Sequence, residues 1–357
     1  MPVAKSRHRL TVLRVIVVAE LVVALLTGAG VVFAYEHVDA KIDTGAPIDH
    51  IKTRREPLPT SALNILLMGT DSRDCTGCDI DNEAGEGGSD TTILLHLADG
   101  RRSAYGISIP RDTLVDRPAC KHGEETIPAA SGAIWNQAYL LGGPACTARQ
   151  VEAVTGIYVD SYITVNFGGF KDMVDAINGV EVCIPEPVDD PIAHIHFDAG
   201  TQRLDGDESL KYVRERHSTA NSDIGRMKRQ QAFIASMIGK VMDAGTLTRP
   251  DRLYRFATSL ADSIETSPDI ASAGRLVKLA ASARHADLAH IKFVTAPTTD
   301  FPAGDPNWGR LQFTPDAQAL WKKVRDDEAL GKLGKGAVTA KNPHGGKASA
   351  AENGLCA

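Results

Sequence analysis

Hydrophobic positions along the chain fall into patterns of three kinds. Val15 to Tyr35 is an apolar run of 21 residues whose single charge is Glu20. About 20 helical residues span the hydrocarbon core of a bilayer, so this run predicts a membrane-crossing helix. Further on, short apolar runs end at turn residues. These are Asn64–Met68 closed by Gly69, Thr91–Leu97, Ser103–Ile109 ended by Pro110, Tyr158–Phe167, Val180–Ile184 ended by Pro185, and His290–Thr295. Their length and β-branched content predict buried strands. Helical periods lie between them. Gln137–Val154 is one, interrupted at Gly142-Gly143-Pro144, and Phe170–Ile177 is another, closed by the C-cap signal Asn178-Gly179. Ser209–Arg216 reads as a short helix-to-strand stretch. Asp223–Ala244 predicts a long amphipathic helix with Ser222 or Asp223 as N-cap, and residues 251–286 and Pro315–Asp327 also read as helical. Strands alternating with helices make an α/β domain.

The remaining segments are polar. Residues 36–60 hold Pro47, Pro57 and Pro59 and predict a stalk. Residues 331–357 are rich in Gly, Lys and Ala without an apolar period, and predict a disordered tail. The expected organisation is a basic head (1–14), an anchor (15–35), a stalk (36–60), one catalytic-sized domain (61–328) and a tail (329–357).

Charge sharpens this division. The net charge is −6, but the head carries +4 and residues 331–357 carry +3, which leaves −13 for the rest. An acidic body excludes a general nucleic-acid binder, which needs a broad basic surface. The basic head places the N-terminus in the cytoplasm and the body outside, by the positive-inside rule. A cleaved signal peptide is the competing reading; the run is long for one, and Thr27-Gly28-Ala29 and Phe33-Ala34-Tyr35 are poor cleavage sites. Glu20 is costly in lipid and either snorkels to the cytoplasmic edge or meets a helix partner.

An external body permits disulfides. Cys75 and Cys78 read as a local disulfide, because no second ligand pair at zinc-site spacing accompanies them. Cys120 and Cys146 are the expected second pair. Cys183, in an apolar strand, reads as a buried thiol, and Cys356 as incidental.

Several polar groups sit where strands end. Asp71 follows one apolar run in Gly69-Thr-Asp-Ser-Arg73, and Asp90 precedes another in Ser89-Asp-Thr91. Two carboxylates brought together at strand ends suit Mg²⁺, with loop or capping roles as the alternative. Arg111 and Asp112 project after Pro110, as a ligand-facing pair or a surface ion pair. The densest feature is Tyr212-Val-Arg-Glu-Arg216 followed by Asp223-Ile-Gly-Arg-Met-Lys-Arg-Gln-Gln231. An extended stretch would put Arg214 and Arg216 on one face. On the helix Asp223, Arg226 and Gln230 share a face, with Arg229 beside Arg226. Arginine is suited to bidentate phosphate recognition, and a helix N-terminus favours anions. His194, His196 and Asp198 near Asp189-Asp190 read as a loop rather than a second metal site. No Gly-x-Ser-x-Gly elbow is present for a serine hydrolase.

Taken in order, these segments, together with Asn136-Gln-Ala-Tyr139, Asn178-Gly-Val-Glu-Val182 and Leu204-Asp-Gly206, resemble the LytR-CpsA-Psr family over about residues 62–242. Residues 290–327 are similar to the closing strand and helix of its actinobacterial-type members. The resemblance implies a central mixed sheet flanked by helices behind one membrane helix. It also implies a phosphotransferase that moves a glycopolymer from a polyprenyl-pyrophosphate carrier to the C6 hydroxyl of N-acetylmuramic acid in peptidoglycan, with a phosphatase acting on the same lipid pyrophosphate, or a non-catalytic membrane-anchored binding or regulatory protein, as the alternatives. By the same resemblance Asp71 and Asp90 bind Mg²⁺, with Mn²⁺ as a substitute, and Arg111, Arg214, Arg216, Arg226 and Gln230 hold the pyrophosphate. Arg73 and Arg229 add to that cluster. Asp112 or Asp223 takes the hydroxyl's proton or orients arginines, orientation being the expected role of Asp112. The implied partners are the lipid-linked glycan, peptidoglycan and membrane lipid. The chain departs from the family's pattern at Gly88, where many members carry Arg, and at Ile134-Trp135-Asn136, which lacks a Lys.

Overall fold

The computed structural model describes residues 4–51, 61–70, 88–191, 195–215, 222–242, 249–283, 286–334, 337–343 and 356. The chain divides into two compact units, residues 1–41 and 42–357. The first unit is one helix, α1 (Ala4–Asp39). The most apolar stretch of 18 residues within its segment Ile16–Asp39 has a mean hydropathy of 2.5 and none of it is buried, which suits a membrane span.

The second unit begins earlier than the stalk reading expects. Strand β1 (Asp43–Thr44) pairs with the main sheet, Ile48 is buried, and His50 Nδ1 lies 2.7 Å from Glu152 Oε1. Glu152 is fully buried and also accepts from the backbone N–H groups of Ile51 and Val159. A buried carboxylate needs such donors, so residues 43–51 belong to the body.

The walk through the body gives β2 (Leu63–Thr70), β3 (Ser89–Leu97), β4 (Ala104–Ile109), β5 (Leu114–Arg117), β6 (Cys120–His122), β7 (Glu125–Ile127) and β8 (Ala130–Ile134). Then come α2 (Gln137–Thr155), β9 (Ser161–Asn166), α3 (Phe167–Ala176), β10 (Val180–Ile184), β11 (Val188–Asp190), β12 (Ile195–Phe197), β13 (Gly200–Leu204), α4 (Gly206–Arg214) and α5 (Ser222–Met242). The chain closes with α6 (Pro250–Ser263), β14 (Ile264–Thr266), α7 (Ala273–Ala283), β15 (Ile291–Thr295), β16 (Thr298–Asp300), β17 (Leu311–Phe313), α8 (Pro315–Arg325) and β18 (Val338–Thr339).

Eight strands form one mixed sheet in the order β1-β14-β9-β2-β3-β4-β15-β18. Its central strands are covered on both faces, which is why they read as continuous apolar runs. On β2, Leu66 and Met68 join one core with Trp135, Val151 and Trp321, while Ile65 faces a second core with Ala235 and Phe293. The strand period of two separates these sets. The first core is closed by α2 and α8, the second by α5. A third cluster packs Val174, Val180, Tyr212 and Phe233 around α3, β10 and α4.

Local signals explain most boundaries. Gly143 takes φ +69° next to Pro144 and breaks α2 where the Gly-Gly-Pro run predicts. Helix α3 is capped by Asn166, whose side chain accepts from Gly169 N–H, and ends where Gly179 N–H donates to Val174.

Four expectations are corrected. The helical reading of 251–286 is divided by β14, which enters the sheet between β1 and β9. Ser209–Arg214 is helical throughout and belongs to α4, which starts at a capping box formed by Asp205 and Glu208. The tail is in part ordered, because β18 pairs with β15 at the sheet edge. Cys183 is no free thiol, for it forms a disulfide with Cys356. The Cys120–Cys146 disulfide is as expected, while Cys75 and Cys78 lie outside the described residues.

Candidate active site

Strands β3 and β4 are antiparallel neighbours, so the start of β3 and the end of β4 meet at one edge of the body. There they open into a cleft lined by Asp90, Thr91, Thr92, Ser108, Ile109, Pro110, Arg111, Asp112, Arg226, Met227, Gln230 and Leu311. Pro110 ends the pairing of β4 and turns Arg111 and Asp112 out of the sheet. Arg226 and Gln230 lie one helical turn apart on α5 and so share a face.

The charged groups alternate in sign. Arg111 Nη1 donates to Asp90 Oδ1 at 2.6 Å, and Arg111 Nε lies 3.4 Å from Asp112 Oδ2. Asp112 Oδ1 accepts from Arg310 Nη1 at 2.7 Å. Arg111 is thus held from both ends. Its backbone carbonyl also accepts from Asn136 N–H, and Asn136 Oδ1 accepts from Ser89 N–H. Arg226 is only 2% exposed and Gln230 is anchored through Nε2 to the Val213 carbonyl. A buried guanidinium facing a cleft is a strong attraction for an anion, because the surroundings screen it weakly.

Gly88 has a local reason. A Cβ there would stand 2.8 Å from Asn136 Nδ2 and 3.4 Å from Leu140. With Asn136 engaged to Ser89, a larger residue would disturb the turn that presents Asp90.

The predicted site residues do not all converge. Asp90, Arg111, Asp112, Arg226 and Gln230 share the cleft. Arg214 closes α4 and lies over the Phe167 ring, 4.9 Å from its centroid, so the extended Arg214–Arg216 face is corrected to a helical end. Arg229 is a second correction. It turns away from the cleft lining into a buried pair with Glu215, Nη2 to Oε2 at 2.9 Å, the two side chains being 4% and 2% exposed. Burial pulls its pKa below the ordinary arginine range, and the Glu215 charge opposes that shift. Asp71, Arg73 and Arg216 lie outside the described residues, as does the side chain of Asp223.

Arg229→Ala is therefore expected to cost about 3–5 kcal/mol of stability, since it removes one member of a buried ion pair. Urea unfolding of the detergent-solubilised chain measures this; a loss under 1 kcal/mol, on the order of an exposed ion pair, would refute the structural role.

Two groups escaped the sequence reading. Arg310 lies far along the chain from Asp112 and carries no local motif. Trp135 is buried, donates through Nε1 to Thr92 Oγ1 at 3.4 Å, and packs edge-on against Phe313.

For a divalent cation the described residues of the cleft offer two carboxylates, Asp90 and Asp112, each paired with an arginine, and among the described residues no group of three His, Cys, Asp or Glu comes together. Mg²⁺ at a phosphate substrate commonly takes only one or two protein carboxylates, the remaining oxygens coming from phosphate and water. The donor set fits that mode as far as it is described. His196 reaches Asp189 and Asp198 only at 4.0 and 3.7 Å, with all three side chains well exposed.

An α/β domain follows a helix long and apolar enough to cross a membrane, and arginines and carboxylates gather in a cleft at its strand ends. The chain belongs to the LytR_cpsA_psr family, whose model matches residues 32–325. It is similar to the cell wall biosynthesis protein LcpA of Corynebacterium glutamicum, 32% identical over 76% of this chain and 56% of the relative. The chain thus spans about half the length of that relative, and 46% of the probable cell wall biosynthesis protein LcpB of the same organism. The polyisoprenyl-teichoic acid–peptidoglycan teichoic acid transferase TagT of Bacillus subtilis is 30% identical over 72% of this chain and 81% of its own length. Among solved structures, that of B. subtilis TagV superposes with a TM-score of 0.55 at 28% identity, covering 75% of this chain and 96% of TagV.

Proposed function

We propose that this chain is a phosphotransferase that carries a glycopolymer from a polyprenyl-pyrophosphate carrier to the C6 hydroxyl of N-acetylmuramic acid in peptidoglycan. The observation that carries the reading is the meeting of Asp90, Arg111 and Arg226, from three separate elements, in one cleft. Relatives that are teichoic acid–peptidoglycan transferases support it.

In this reading Arg226 and Arg111 bind the non-bridging oxygens of the pyrophosphate and offset its charge, which would otherwise repel a nucleophile. Asp112, fixed by Arg310, keeps Arg111 aimed into the cleft. The sugar hydroxyl oxygen forms a bond to the glycan-side phosphorus, and the bond from that phosphorus to the bridging oxygen breaks. Polyprenyl phosphate leaves, and the product is a phosphodiester. Mg²⁺, or Mn²⁺, held by Asp90 with Asp71, would supply further charge stabilisation at the phosphate oxygens. Helix α1 anchors the enzyme beside its lipid donor, with the head in the cytoplasm and the body outside.

The test supplies full-length protein in detergent with a labelled lipid-linked glycan and soluble peptidoglycan oligomers. A Mg²⁺-dependent glycan–peptidoglycan adduct is the expected product. Label recovered only as phosphorylated glycan would replace transfer by hydrolysis. Binding of the donor without turnover would reduce the chain to a carrier of lipid-linked intermediates.

A further inference from the structure

The hairpin β16–β17 carries a loop, residues 301–310, to the rim of the cleft. Leu311 lines the cleft, its N–H donates to the Asp112 carbonyl at 3.2 Å, and it pairs with Thr113 in a parallel bridge. Arg310 fastens the loop's end to Asp112. The loop is bonded to itself as well. Phe301 N–H donates to Arg310, Trp308 N–H to Asp305, and Arg310 N–H to Asn307, at 3.2, 3.0 and 2.9 Å. Asn307 N–H adds a bond to Asp305 Oδ1 at 2.8 Å. A loop braced in this way presents its side chains with little ordering left to do on binding.

What it presents is Trp308, which is 71% exposed, whereas Trp135 and Trp321 are 1% and 0% exposed. An indole left in water two residues from the Arg310–Asp112 pair joins a flat apolar face to a polar edge. A pyranose ring offers the complement: an apolar face of C–H groups rimmed by hydroxyl and acetamido groups. A lipid chain would find other ground, because exposed aliphatic residues lie elsewhere, Leu140 on α2 beside Gly88 and Ile224 on α5. Trp308 instead has the polar neighbours Asp305, Asn307 and Arg310.

We propose that the 301–310 loop is the seat of the acceptor glycan, with Trp308 stacking on a hexosamine ring of the strand whose hydroxyl enters the cleft. The Arg310–Asp112–Arg111 chain then connects the occupied seat to the pyrophosphate side. The inference rests on the transferase reading for the identity of the acceptor.

The test uses the full chain in detergent and soluble N-acetylglucosamine–N-acetylmuramic acid oligomers as the probe. The oligomers should protect tryptophan fluorescence from acrylamide quenching in the wild type. By titration calorimetry, which does not depend on the indole, Trp308→Ala should bind them about tenfold more weakly, the loss of a single stacking contact of roughly 1.4 kcal/mol. Trp308→Phe should retain most of the binding, and Tyr254→Ala, another exposed aromatic on α6, all of it. In turnover, Trp308→Ala should raise the KM for acceptor without moving that for donor. Equal binding by wild type and Trp308→Ala overturns the proposal, as does protection by polyprenyl-phosphate micelles in place of the glycan. If the wild type binds the oligomers yet transfers nothing to them, the transferase reading fails while the glycan seat stands.

Discussion

Arg226→Ala should lower turnover of a lipid-linked donor by about 10²- to 10³-fold, the range seen when one preorganised charge-stabilising donor is removed from an active site. The expectation follows from where the guanidinium sits. At 2% exposure it is screened weakly by water, and it faces a cleft that also holds Arg111 and Gln230. Charge accumulates on the pyrophosphate oxygens as the bridging bond breaks, so an arginine already in place gives most of its stabilisation in the transition state. Arg226→Lys separates charge from shape. Lysine keeps the charge but lacks the planar fork, so it should recover only part of the rate. Rates come from single-turnover transfer, with thermal unfolding run alongside to confirm the fold. Wild-type turnover in a folded Arg226→Ala protein would remove α5 from the proposed site.

Asp90→Asn should also cost about 10²-fold or more, by a different route. The substitution removes the carboxylate that Arg111 grips at 2.6 Å and, in the proposed mechanism, one of the two metal-binding groups. The two roles are separable. If the carboxylate only orients Arg111, added Mg²⁺ leaves the variant unimproved. If it binds the cation, the concentration of Mg²⁺ at half-maximal rate rises, and excess Mg²⁺ restores part of the activity. The wild type should lose its rate on chelation and recover with Mg²⁺ or Mn²⁺. An Asp90→Asn protein with an unchanged rate and an unchanged Mg²⁺ requirement would dismiss both roles.

The contrast between Arg226 and Arg229 shows where sequence reading ended. Both were visible as arginines on one amphipathic helix. Helical spacing placed Arg226 and Gln230 on a common face, and the cleft contains both. The same spacing could not say that Arg229 meets Glu215, because that depends on how the end of α4 approaches α5. Arg214 and Arg216 illustrate a related limit. A period of two does not hold for a segment whose first arginine ends α4, and the local signal for that helix is the capping pair Asp205 and Glu208.

Strong periods and turn residues were legible for the same reason: the information lies within a few residues. The central strands, the break at Gly143 and the end of α3 needed nothing from the distant chain. Strands of two or three residues, such as β1, β14 and β18, have too short a run to carry a period. Their place in the sheet is set by partners far along the chain.

The sequence by itself determined an apolar anchor-length helix, an α/β body and an ordered set of motifs placing carboxylates and arginines at strand ends and on one helix. Those features arise from local sterics and hydrophobic period, which act at short range along the chain. Only the tertiary structure decided which charges meet. It brought Arg310 to Asp112, gave Arg229 to Glu215, joined Cys356 to Cys183, and set the loop bearing Trp308 on the cleft rim. Pairings of this kind depend on the packing of whole layers, since a charge or a thiol finds its partner only after the sheet and helices have fixed the distance between them.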